Sequence, residues 1–198
     1  MSNSIKAFQE EIQGKIRRLL QEFGEGQLSR EQFNILYERY NNQLELALTA
    51  GETAAQQAKK NDLSTIAIRE ATTGKAIGLA VYHHRSGTII ETLGHFELGP
   101  DIITPVLHDF SDKMESRQFI EPVTQKLSAG HWVLYMARHF TTAIVIFRNE
   151  PSPRQIRALE RLLHDFEEAN QRNLDTNHVD ASKLAVPFVG FVRKKLRS

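Results

Sequence analysis

The chain has 198 residues, 40% hydrophobic and 25% charged, with a formal net charge of +1, which suits a globular fold and excludes a disordered polymer. Near-neutral charge excludes a global field directed at nucleic acid or membrane. The absence of cysteine excludes disulfides, thiolate nucleophiles and Cys-ligated metal, and fits a reducing compartment. Residues 1–8 carry no apolar secretory core, and no run approaches the ~20 apolar residues that span a bilayer. A cytoplasmic protein is therefore expected.

Residues 4–23 predict a helix with Ser4 as N-cap, because Ile5, Phe8, Ile12, Ile16, Leu19 and Phe23 recur every three or four positions. Gly24 and Gly26 end it, and Ser29 with Gln32 offers a capping box for a second helix. That helix carries Phe33, Leu36, Tyr37, Tyr40, Leu44 and Leu48 on one stripe. The short connection predicts an antiparallel helical hairpin over residues 1–50. Residues 24–33 superficially suit a calcium loop, yet Gly26 at the glycine position puts Gln21, Phe23 and Gln32 where oxygen ligands belong. Phenylalanine is no ligand, and no bidentate glutamate closes such a loop, so calcium binding is rejected. The same Gly-x-Gly-x-Leu-Ser-x-Glu-x-Phe pattern resembles the short helical-hairpin modules of the SHOCT type.

Residues 51–61 are polar and alanine-rich, and read as a linker or a solvated helical extension. Residues 62–73 support two readings. Asp62 could cap a helix ending at Gly74, with Leu63, Ile66 and Glu70 a turn apart, or Ile66 and Ile68 could alternate along a strand. A hairpin follows: apolar runs at 76–82 and 88–93 flank the turn His83-His84-Arg85-Ser86-Gly87, and Gly94 ends it. After Gly99-Pro100, residues Ile103, Val106, Leu107, Phe110 and Met114 predict a helix with Thr104 as N-cap and Pro105 in its first turn. Strands are predicted over 122–129, 131–139 and 142–148. The run Ala143-Ile144-Val145-Ile146-Phe147 has no polar alternation and predicts a central strand buried on both faces. Pro151-Ser152-Pro153 opens a helix through about Gln171 that buries Ile156, Leu159, Leu163 and Phe166 and solvates Arg154, Arg157, Glu160, Arg161, Glu167 and Glu168. Beyond the polar connector 174–180, the tail mixes Phe188, Phe191 and branched residues with Arg193, Lys194, Lys195 and Arg197.

Candidate chemistry is sparse. His83 and His84 are adjacent, so in a strand they point to opposite faces and chelate one ion poorly. His131 and His139 would stand about 26 Å apart along an extended strand. No His-Glu-x-x-His motif, nucleophile elbow or complete phosphate loop is present, and Ala71-Thr72-Thr73-Gly74-Lys75 lacks the upstream glycine of the last. Glu167-Glu168 lies on a charged helix face. No catalytic residue, metal site or cofactor is assigned. The tail's cations could serve a membrane surface, but Pro187 and Gly190 interrupt an amphipathic helix there. The preferred expectation is that residues 184–192 fold back onto the domain or a partner while the cations stay solvated; Phe188, Phe191, Arg193, Lys194 and Lys195 are the candidate contact residues of the tail. The basic cluster is too small for nucleic-acid binding.

From Asp62 the element order is helix, strand, strand, helix, strand, strand, strand, helix. This layout resembles the roadblock family, named for a dynein light chain, over about residues 62–170. The carriers are the hairpin 78–94 with its Arg85-Ser86-Gly87 tip, the helix 104–113 and the closing strands with their helix. The resemblance selects helix for residues 62–73. It implies an α+β domain over 62–174, with a five-stranded, mostly antiparallel sheet flanked by helices, the helical hairpin in front and the tail 175–198 behind. It also implies a non-enzymatic adaptor that homodimerises, through Ile103, Val106, Leu107, Phe110 and Met114, and binds or regulates a small Ras-like GTPase. Two other classes compete: a small-ligand sensory domain of the GAF or PAS type, and a structural assembly subunit.

Overall fold

A computed structural model describes residues 2–49, 62–116 and 120–188. The expected linker 51–61 lies outside the described residues. The chain divides into two compact units, Met1–Gly74 with Glu150–Arg154, and Lys75–Asn149 with Gln155–Ser198.

In the first unit, helices α1 (Ser2–Gly24) and α2 (Arg30–Thr49) form the expected hairpin, and α3 (Asp62–Thr72) packs on α2. Phe8, Ile12, Leu19, Leu28, Leu36 and Tyr40 are buried together, with Ile68 of α3 against them. Phe23 departs from the predicted stripe: it is 38% exposed and stacks on Phe33 at 4.5 Å. Ser29 caps α2 as expected, its Oγ accepting the Gln32 N–H at 3.1 Å. The Gln32 side chain does not return to close a capping box. It donates instead to the Arg69 carbonyl and to Thr73 Oγ1, both at 3.2 Å. Glu150 completes the cap, its carboxylate accepting the Glu31 N–H at 2.7 Å, where the helix N-terminus favours a negative charge. Arg69 pairs with Glu22. These bonds explain why the unit boundary falls at Gly74, later than the residue 62 expected: α3 is committed to the helical hairpin.

In the second unit, β1 (Ala76–His83), β2 (Thr88–Gly94), β3 (Val123–Lys126), β4 (Trp132–Ala137) and β5 (Thr141–Phe147) form one sheet in the order β2-β1-β5-β4-β3. Every neighbouring pair is antiparallel. Strand alternation divides the apolar residues between two cores. Leu79, Val81, Leu134, Met136, Val145 and Phe147 meet α5 (Pro153–Leu174) on one face through Leu159, Leu163 and Phe166. On the other, Val133, Tyr135 and Ile144 meet Phe110 of α4 (Pro100–Glu115). Strand β5 is buried along its whole length, as its unbroken apolar run predicts.

Four local expectations are corrected. Helix α1 begins at Ser2, which places Ser4 inside it. Helix α4 begins at Pro100 with Gly99 as N-cap, so Thr104 is inside that helix too. Pro100 occupies a first-turn position, where the missing N–H costs nothing. Pro105 removes one bond to Asp101, and both residues are exposed, so water can satisfy the freed carbonyl. Strand β3 is four residues long because Leu127–Gly130 turns back, with the Leu127 N–H donating to the His131 carbonyl at 2.8 Å. Glu167, expected on the solvated face of its helix, is buried.

The β1–β2 pair is set by glycines at its open end. Gly78 faces Gly94 across the ladder, and the chain then crosses directly over Gly78, with the His95 N–H on the Ile77 carbonyl at 2.8 Å. A Cβ on Gly78 would lie 1.9 Å from the His95 carbonyl oxygen. This close approach sends residues 95–99 onto the α4 face, where Phe96 and Leu98 pack beside Phe110.

Candidate functional site

The stripe expected at a dimer interface lies largely inside the chain's own fold. Phe110 is fully buried against the sheet, and Ile103, Val106 and Met114 are partly buried around it. Leu107 is half-buried. The outer face of α4 is polar instead, with His108, Asp109 and Asp112 exposed and Lys113 on Asp109 at 2.6 Å.

The two sheet edges differ. At β2 the register shifts between Val81 and Tyr82, and the Glu91 carboxylate covers the Thr92 N–H at 2.9 Å, both of which hinder further strand pairing. At β3 all four residues are exposed, including Val123.

The histidines predicted to point apart do so. His83 is buried, with Nε2 on the Leu174 carbonyl at 2.8 Å and Nδ1 2.9 Å from Ser86 Oγ. A carbonyl only accepts, so Nε2 carries the proton, and Nδ1 takes the Ser86 N–H at 3.2 Å. The Ser86–His83 contact therefore closes the turn, and the Nε2–Leu174 bond fastens the hairpin to the end of α5. Arg85 reinforces it through the Asp175 carboxylate at 3.2 Å and the Asp175 carbonyl. His84 places Nε2 2.9 Å from Thr142 Oγ1. Burial lowers its pKa to about 4, against an opposing pull from the His139 backbone, and the neighbouring His83 and His139 rings lower it further.

Above this turn lies a cleft of about 480 Å³. Its walls are His84 and Arg85 from the β1–β2 turn, Ser111 and Met114 from α4, and His139 and Phe140 from the β4–β5 turn, with His83 behind them. The His139 and Phe140 rings meet edge to face at 4.5 Å. Glu167 fixes that second turn: Oε1 accepts the Phe140 and Thr141 N–H groups at 2.9 Å and the Thr141 hydroxyl at 2.8 Å. Arg138 lies 3.8 Å from the other oxygen. Sequence reasoning missed Ser111, His139, Phe140 and Glu167 as one neighbourhood, since no local spacing links residues from three separate segments. Among the described residues, no group of three His, Asp or Glu is placed to hold a metal ion.

The chain after α5 folds back along it. Asn173 brackets the Asp180 backbone at 2.9 and 3.1 Å, and Asn170 brackets that of Ala185 at 2.8 Å on both sides. Phe188 is fully buried, its ring 5.8 Å from that of Phe166. Phe191, Arg193, Lys194 and Lys195 lie outside the described residues.

No helix among the described residues is long and apolar enough to cross a membrane. No family model and no curated protein matches the chain.

Proposed function

We propose that the chain is a non-enzymatic, cytoplasmic adaptor of roadblock type that homodimerises and binds or regulates a small Ras-like GTPase. The observation that carries this reading is the antiparallel sheet β2-β1-β5-β4-β3, with α4 between β2 and β3 on one face and α5 on the other. It has the element order the resemblance implies from β1 onward. The exposed β3 edge supports pairing with a second copy, since among the described residues no strand lies beside its backbone groups and Val123 on that side. One departure is that α3 joins the N-terminal helices. Phe110 is committed within the protomer, so a charge there tests folding, and the informative position for association is Val123.

The experiment is light scattering on the full chain and on Val123→Lys, followed by titration with small GTPases in both nucleotide states. A dimeric mass that falls to monomeric in the variant, with nucleotide-dependent binding, supports the reading. A monomeric wild-type chain removes the dimer, and no binding to any GTPase removes the adaptor role.

A further inference from the structure

The cleft between the two hairpin turns and α4 has a composition that the adaptor reading does not use. Among the described residues, its ionisable lining groups are all bases: the Arg85 guanidinium and the His83, His84 and His139 imidazoles, with no carboxylate among them. Arg85 directs part of its fork at Asp175 and keeps its remaining N–H groups, and it is half exposed. His139 is exposed at the opposite wall. Ser111 adds a hydroxyl from α4, while Met114 and Phe140 supply an apolar surface. A volume of about 480 Å³ falls within the range of small-molecule sites, roughly 300–1,000 Å³.

We propose that this cleft binds a small organic acid, a carboxylate or phosphate monoester on an apolar body, with Arg85 and His139 on the anion, Ser111 donating to it, and Met114 and Phe140 against the apolar part. Arg85 supplies the fixed charge, and its fork geometry matches a carboxylate or phosphate. His84 stays uncharged at neutral pH, because burial holds its pKa near 4, and so it forms a polar wall without adding charge. The turns on both sides are pre-organised. His83 ties the first to Leu174, and Glu167 ties the second through three hydrogen bonds. Binding therefore needs little ordering of the backbone. The site is separate from the β3 edge, so it does not depend on the adaptor reading.

The test is a nuclear magnetic resonance titration of the full chain with benzoate, phenyl phosphate, inorganic phosphate and benzamidine. The two aromatic acids should give saturable shifts at the amides of Arg85, Ser111, His139 and Phe140, with dissociation constants on the order of 1 mM for such small probes. Inorganic phosphate should bind at least tenfold more weakly, and benzamidine should not bind. Arg85→Gln and His139→Gln should each weaken the aromatic acids at least tenfold. Because Arg85 also holds Asp175, His139→Gln separates recognition from turn stability. The proposal is overturned by an absence of saturable shifts at these amides, by benzamidine or inorganic phosphate binding as tightly as the aromatic acids, or by wild-type affinity in His139→Gln.

Discussion

Asn170 grips Ala185 by both sides of its amide: Nδ2 donates to the Ala185 carbonyl at 2.8 Å, and Oδ1 accepts the Ala185 N–H at 2.8 Å. Nδ2 also donates to the Phe166 carbonyl at 2.7 Å, so every polar atom of this buried amide is used. Asn170→Asp keeps the shape but aims an acceptor at two carbonyls. It should cost about 2–4 kcal/mol, as lost charged or buried hydrogen bonds do. Urea denaturation would measure the loss. Hydrogen exchange should show the faster opening concentrated in residues 181–188, where the bracket is made. Unchanged exchange there would mean that Phe188 alone holds the segment.

Glu167 does for the β4–β5 turn what Asn170 does for the tail. Two backbone N–H groups and one hydroxyl converge on its Oε1. Glu167→Gln keeps an acceptor and loses the charge, so a cost of about 1–2 kcal/mol is expected, whereas Glu167→Ala leaves three donors unmatched and should cost about 2–4 kcal/mol. The ordering of the two variants in chemical denaturation is the check. Equal costs would show that a neutral acceptor contributes nothing here and that the charge carries the whole effect.

These two residues mark where the sequence stops being informative. The β5 run Ala143–Phe147 announces a central strand because burial on both faces leaves no room for polar alternation. Ser29 announces a cap because its partner is three residues away. Glu167 lies between Phe166 and Glu168 on a helix rich in charge, and nothing local shows that the turn at residue 140 needs an acceptor. Its partners are 26 and 27 residues away. The cleft was illegible for the same reason, since His84, Ser111 and His139 come from separate elements. The stripe Ile103–Met114 was legible as apolar, but periodicity cannot say whether such a face meets its own sheet or a second chain. The structure turns Phe110 inward.

Gly78 and Gly14 offer a paired test of backbone approach. A Cβ at Gly78 would meet the His95 carbonyl oxygen at 1.9 Å, a backbone atom that cannot swing aside, whereas a Cβ at Gly14 in α1 meets nothing within 4 Å. Gly78→Ala should therefore destabilise by about 3 kcal/mol or more, through strain and loss of the His95–Ile77 bond. Gly14→Ala should stabilise by roughly 0.5–1 kcal/mol, the usual gain inside a helix. Thermal and urea denaturation of both variants would check the signs. A neutral Gly78→Ala would mean that the strand leaves β2 by a different path.

Mild acid should destabilise the fold through His84, whose pKa is lowered from 6.5 to about 4 with burial as the main cause. Between those values the unfolded chain holds a proton that the folded chain does not, so stability rises with pH across this window. The contribution is complete above pH 6.5, falls as pH drops through the window, and levels off below about 4. Its full size is roughly 3 kcal/mol, from about 1.4 kcal/mol for each pH unit between the two values. Carboxylates titrate near the lower end as well, so the decisive quantity is the difference between wild type and His84→Gln. Glutamine can still reach Thr142 but binds no proton, so the variant should lose less stability than wild type as the pH falls from about 6.5 to about 4.5. Urea midpoints at intervals through that range would measure it. Parallel curves for the two proteins would show that His84 exchanges its proton as freely in the fold as in the unfolded chain.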